Sequence, residues 1–236
     1  MTRIARLILA GVLVGAAAGC TDGSRSTSAD GPEPLTLRQA QLVADTLHRN
    51  HEAGGATFSL TAIDPRGGGT VSLQGSVDWT TGTGSATVAG LRDADGEVTA
   101  VAWTRERVAE QRPSRSVELA TRGLDPTTTF WLRSVDVPGR TVDRLIQIVL
   151  GLATERPDNA QLVLQRPDAG LLRTDALRGV DVEVLSYSDR TRLWIDPATG
   201  DLLRFESDAS GGGAPVIVDV LERGPVSVTL PPVVED

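Results

Sequence analysis

Hydrophobic and polar positions along this chain repeat at a helical spacing, then with a period of two, then helically again, and finally with a period of two. Leu37, Ala40, Val43, Ala44 and Leu47 fall on one helical face, which predicts an amphipathic helix packed on something apolar. Thr36 and Gln39 stand where a capping box places them, the hydroxyl and the side-chain amide satisfying first-turn groups. Gly54 and Gly55 end the element, because glycine accepts the left-handed cap conformation. After it Val71, Leu73, Val77 and Trp79 alternate with Ser72, Gln74, Ser76 and Asp78, as in a half-buried antiparallel strand. Phe58, Leu60 and Ala62 form a shorter strand upstream, joined through the Pro- and Gly-rich turn 64–69, and the segment Arg66-Gly67-Gly68-Gly69-Thr70 reads as part of that hairpin. Residues 85–91 and 97–104 continue the meander, with turn signals about every ten residues. Residues 117–120 and 130–132 are weaker strand candidates.

The alternation breaks at Gly139. Thr141 stands where it would cap a helix running to about Ala153, with Asp143 well placed in the first turn. At 100° per residue Val142, Leu145, Ile146, Ile148, Val149, Leu150, Leu152 and Ala153 fill an arc of about 200°, and Asp143, Arg144, Gln147 and Gly151 occupy the rest. A helix resting on a single sheet needs a stripe of only about 100°. This one has apolar surface for a second neighbour. Pro157 and Asp158 stop it, and residues 158–161 cap a short helix containing Leu162, Val163 and Leu164. Strands resume at Val180, Val182 and Val184, at residues 193–195 and 202–206 around the turn 196–201, and at Val216, Val218 and Val220. Val226, Val228 and Leu230 complete the set. The sum is an α+β chain of about ten antiparallel strands with two or three helices inserted and one sheet face polar.

Ahead of the first helix the picture changes. Arg3 and Arg6 precede an apolar run of about ten residues, and Ala17, Ala18 and Gly19 lead into Cys20, the only cysteine, in the layout of a secretory signal peptide. The run is shorter than the roughly 20 apolar residues that a membrane span needs. A cysteine directly after the small-residue triplet resembles the lipobox of bacterial lipoproteins, where the thiol is diacylated; the alternative is an ordinary signal peptide with an accidental cysteine. Two acyl chains meet the two-signal requirement for stable anchoring, so the mature protein is expected on the outer face of a cytoplasmic membrane. Residues 1–19 are then the signal, 20–34 a polar tether rich in Ser, Gly, Asp and Pro, and 35–236 a single domain large enough for a sizeable core.

Charge narrows the partners. The formal net charge is −8, and losing Arg3 and Arg6 takes it to −10. A surface that acidic argues against nucleic acid and against adsorption to anionic lipid, so Cys20 would have to supply the membrane contact. Every basic residue except the two histidines is Arg, a coding bias that warns against reading each as a phosphate ligand. Asp45, His48 and His51 fan across about 120° of helix surface, unlike the i, i+4 pair of a helical zinc site, and the imidazoles suit the last helical turn. No Gly-x-Ser-x-Gly elbow is present. The pairs Glu106/Glu110 and Asp93/Asp95 sit in stretches where solvation is the default. Phosphate-loop chemistry lacks its Lys. No enzyme, cofactor or metal is expected.

The lipobox, the first helix ending in Gly-Gly, the alternating strand 71–79, the helix 145–152 and the hairpin around Trp194 and Gly200, with a last strand running into Pro231 and Pro232, together resemble the actinobacterial LppX/LprAFG family of cell-envelope lipoproteins, relatives in shape of the LolA/LolB carriers. The likeness spans residues 35–232 and is one of order and pattern. It implies an antiparallel half-barrel with helices in its concave face, and an acyl-chain lipid or glycolipid held between the two. On that reading Val142, Leu145, Ile146, Val149 and Leu150 line a cavity opposite Val71, Leu73, Val77 and Trp79. Low aromatic content and many Ala, Thr and Ser in the strands leave open a self-filled cavity, with the wide stripe buried under a loop. The resemblance implies a carrier or sensor; the alternative is an interaction module that reports envelope state to a membrane partner. If the lipobox is used, Cys20→Ser releases the protein from membranes and leaves its melting temperature unchanged, because the tether holds no core residue; wild-type membrane fractionation of that variant would refute the assignment.

Overall fold

Each period-two segment is joined to the next by a short turn, so most strands pair with their sequence neighbours. The computed structural model describes residues 32–64, 68–93, 95–208 and 214–235; the signal, Cys20, most of the tether and Arg66 and Gly67 of the first hairpin turn lie outside them. The elements, in chain order, are β1 (Glu33–Pro34), α1 (Leu37–Ala53), β2 (Gly55–Ile63), β3 (Thr70–Asp78), β4 (Thr83–Ala89), β5 (Arg92–Asp93), β6 (Gly96–Glu97), β7 (Ala100–Trp103), β8 (Arg107–Gln111), α2 (Ser116–Thr121), β9 (Phe130–Ser134), α3 (Thr141–Leu150), α4 (Ala160–Leu164), β10 (Gly170–Leu177), β11 (Val180–Ser188), β12 (Thr191–Ile195), β13 (Leu202–Ser207), β14 (Val216–Arg223) and β15 (Val233–Glu235). Among the described residues thirteen strands form one sheet in the order β1-β10-β11-β12-β13-β14-β2-β3-β4-β7-β8-β9-β15, and β5 and β6 form a separate ladder. All pairs in the large sheet are antiparallel except β15 on β9. Its end strands do not meet, so the sheet curves around its helices without closing.

The concave face carries the core. Val71, Leu73 and Val77 of β3 alternate into it with Phe58 and Leu60 of β2 and Val218 and Val220 of β14, all buried in one cluster with α1, α3 and α4. Close packing fixes individual positions: a Cβ on Gly84 would meet the Trp103 ring at 2.1 Å, so only glycine lets the indole lie across β4. The capping box of α1 forms as the sequence predicts, with the Gln39 amide nitrogen donating to Thr36 Oγ1 at 3.2 Å and the Thr36 amide to Gln39 Oε1 at 3.0 Å. Gly54, at φ 87°, ends the helix.

Polar bonds fix both ends of α3. At its N-terminal end Asp143 and Glu110, both almost fully buried, share Arg133 of β9. Arg133 gives Asp143 a two-pronged bond of 2.7 Å on each prong and donates to Glu110 Oε1 from Nε at 2.9 Å. Buried Arg112 donates to Glu110 Oε2 at 2.8 Å, and the Asp136 amide donates to Asp143 at 2.6 Å. Burial opposes the charge on Arg133, but its bonds to Asp143 and Glu110 and their negative charges outweigh that and raise its pKa. At the other end the Trp79 indole donates to the Val149 carbonyl at 3.0 Å and the buried Asn50 amide to the Leu152 carbonyl at 2.7 Å.

Several expectations are corrected. Thr141 is the first residue of α3 and caps nothing; the N-cap is Arg140, with no side-chain bond, and the helix ends at Leu150. Asp143 is buried, because Arg133 compensates its charge, although its place on the helix is polar by pattern. Glu110 is likewise a buried member of β8, not a solvated one. Residues 117–120 are helical: Pro113 opens a short 3-10 turn, Val117 points to solvent, and Glu118 pairs with both Arg115 and Arg122, whose guanidinium groups cover the buried Trp131 ring. Val226, Val228 and Leu230 belong to no strand, since Pro225, Pro231 and Pro232 remove backbone donors; the chain there runs as a strap until β15. Strands β1, β5, β8, β10 and β15 are not among the expected ones. The convex face is not uniformly polar either: Val182, Val184 and Trp194 form a small cluster there.

Glu110→Gln would remove the buried negative charge that both Arg112 and Arg133 bond and is expected to cost about 3–5 kcal/mol. Glu106→Gln, at an exposed turn, should change stability by no more than about 0.5 kcal/mol. Urea denaturation of the two variants side by side measures the difference.

Candidate functional site

The apolar arc of α3 is wider than the sheet covers, and its two margins face two openings. On one margin Ile148 and Leu152 look across to Val43 and Leu47 of α1 and to Leu193 and Phe205 of β12 and β13, around a cavity of about 560 Å³. Ala44, Gly151, Thr154, Arg156, Pro157 and Asp158 complete it on the helix side, and Tyr187 and Thr191 on the sheet side. The size suits a small lipophilic ligand, for which pockets of roughly 300–1,000 Å³ are usual. Its polar fixtures are few. The Tyr187 hydroxyl donates to Asp158 at 2.8 Å, and the Arg166 guanidinium lies 4.1 Å from the Tyr187 ring. Burial raises the Tyr187 pKa, and the hydrogen bond and charge of Asp158 raise it further against the opposing Arg166, so the phenol stays a neutral donor at the cavity wall.

On the other margin Leu150 lines a second, more polar opening of about 420 Å³ with Trp79, Ala153, His51, Arg105 and Glu155. Both openings are bounded by Thr154 and Arg156. Local bonds hold that boundary on α1: the Thr154 amide donates to the Leu47 carbonyl at 3.1 Å, its hydroxyl to the Arg156 carbonyl at 2.8 Å, and the Asp158 amide to the Ala44 carbonyl at 2.9 Å. His48 Nδ1 lies 3.3 Å from the Thr154 carbonyl. The two openings therefore adjoin around the C-terminal end of α3.

Of the residues expected to line a cavity, Val142, Leu145, Ile146 and Val149 are brought together with Val71, Leu73 and Val77 in the buried core cluster, away from the residues that line either opening. Trp79 and Leu150 reach the polar opening. The apolar opening is formed by residues from the margin of the stripe and from α1, β11, β12 and β13. Its signal in the sequence was the surplus width of the stripe at Ile148 and Leu152; nothing in the order of residues told which strands would face it. Cys20 lies outside the described residues. Among the described residues no group of His, Cys, Asp and Glu is arranged to hold a metal, and no helix is long and apolar enough to cross a membrane.

No protein-family model matches the chain, and no curated protein matches it. Among solved structures, an uncharacterized conserved protein from Thermus thermophilus is similar over 84% of this chain and 99% of its own, at 13% identity and a TM-score of 0.40. LprF from Mycobacterium bovis is similar over 86% of this chain and 100% of its own, at 14% identity and a TM-score of 0.46. A domain ascribed to outer membrane lipoprotein sorting in Vibrio parahaemolyticus is similar over 72% of this chain and 83% of its own, at 12% identity and a TM-score of 0.28.

Val149 and Gln147 separate the packed side of α3 from its solvent side. An aspartate at 149 would bury an unpaired carboxylate at a cost of several kcal/mol, whereas Gln147 is exposed. Val149→Asp should therefore lower the melting temperature far more than Gln147→Asp; equal values would contradict the packing described.

Proposed function

We propose that this protein is a non-enzymatic carrier or sensor of acylated molecules in the cell envelope, anchored through diacylated Cys20. The acyl chain of a lipid or glycolipid enters the opening between α1, the end of α3 and strands β11 to β13. One observation carries the reading: about 560 Å³ of mostly apolar space lies open between helices and sheet. Its apolar walls face water when it is empty, and an acyl chain gains about 0.8 kcal/mol for each CH₂ it buries there. The helical face of Val43 and Leu47, the margin of α3 and the Leu193 and Phe205 side chains supply the walls, and Tyr187 with Asp158 marks one polar end. The expected signal and lipobox agree with this location.

Residues 31–236 form one compact unit and hold every buried core residue described, so the chain without residues 1–30 carries its whole core and serves for binding measurements. Native mass spectrometry of that chain should show a lipid mass bound at one equivalent. Ile148 is half-buried at the margin of the opening, and Ile148→Trp should fill the space and lower the bound lipid without unfolding the protein by circular dichroism. An organic extract free of lipid, together with no uptake of added phospholipid, would overturn the carrier reading and leave the interaction module in front.

A further inference from the structure

The polar opening gathers cationic side chains on an acidic chain. Arg105, Arg156 and His51 line it together with a single carboxylate, Glu155, in a protein whose formal net charge is −8. Neither arginine has an acidic partner among the described residues; Arg105 makes one long bond of 3.4 Å to the Trp79 carbonyl. Most other arginines here are matched by carboxylates, as Arg133 is by Asp143 and Glu110, Arg204 by Asp219 and Arg192 by Glu206. Arg105 is also held in place. Its side chain folds back over Gly82, where an added Cβ would lie 2.5 Å from its Cγ. Arg156 stands on the boundary between the two openings and is exposed to both.

We propose that the two openings are a single bipartite site for an amphiphile with an anionic oxyanion headgroup. The acyl chain lies in the apolar opening, the chain leaves it over Thr154, and the headgroup is bound by Arg105 and Arg156 above the Trp79 and Leu150 floor. Guanidinium groups bind oxyanions through charge-assisted, often two-pronged hydrogen bonds, and two of them without acidic partners on an acidic protein favour an anion over a neutral head. This rests on the proposed acyl-chain site and adds to it the class of headgroup.

The test uses the chain without residues 1–30 and three probes, read by isothermal titration calorimetry: oleoyl lysophosphatidic acid, mono-oleoyl glycerol with the same chain and a neutral head, and inorganic phosphate. The lysophosphatidic acid should bind about tenfold tighter than the glycerol ester, and phosphate alone should bind far more weakly than either. Arg105→Gln combined with Arg156→Gln should abolish that preference, so that the two lipids bind with equal affinity, while Ile148→Trp should weaken both lipids together. Equal affinities of the two lipids for the wild type, or a preference that survives the double substitution, would overturn the headgroup assignment alone. Phosphate binding as tightly as the lysophosphatidic acid would show a site for small anions and overturn the bipartite reading. Binding of neither lipid would overturn the acyl-chain site itself.

Discussion

The position of α3 depends on the buried bonds among Glu110, Arg112, Arg133 and Asp143. Charges removed from water are stable only when matched closely, and here each carboxylate meets guanidinium groups delivered by the sheet. That requirement sets where the helix begins. The Trp79 and Asn50 bonds to the Val149 and Leu152 carbonyls set where it ends. With both ends fixed the helix cannot roll to bring its two apolar margins onto the sheet, and the strip left over on each side becomes the wall of an opening.

The two openings differ in chemistry. One has apolar walls from four elements and little to bond with, the other has an aromatic and aliphatic floor beneath cationic side chains. Their common boundary is a short non-helical stretch bonded to α1 through backbone groups, so its course does not rely on the side chains that would face a ligand. The buried ion cluster lies on β8 and β9 at the opposite end of α3, so stability and recognition draw on separate sets of residues.

Much of this was legible in the order of residues. Helix α1, with its capping box and glycine stop, and the inward alternation of β3 follow from local rules that tertiary contacts reinforce. The arc of α3 was legible too, and so was its consequence, that one sheet could not cover it. What local pattern could not show was anything settled by long-range compensation. Glu110 and Asp143 read as solvated because the arginines that bury them come from other elements. Strand β10 leaves no such signal because it lies near the sheet edge with mostly exposed side chains and no burial to alternate. The residues of the apolar opening were hidden for a related reason: Leu193 and Phe205 look like any strand residues until β14 pairs with β2 and brings the second half of the sheet under the helices.

That pairing carries a consequence for how the molecule comes into being. Strands β2 to β9 and β10 to β14 are two meanders, each assembled from neighbours along the chain, and the seam between them sets Leu60 opposite Val218. Closing a seam between such distant residues is slow compared with forming hairpins. The concavity therefore completes only when β14 finds β2. Until then the chain has two half-shells and no interior, so nothing can be enclosed between helices and sheet before that seam closes.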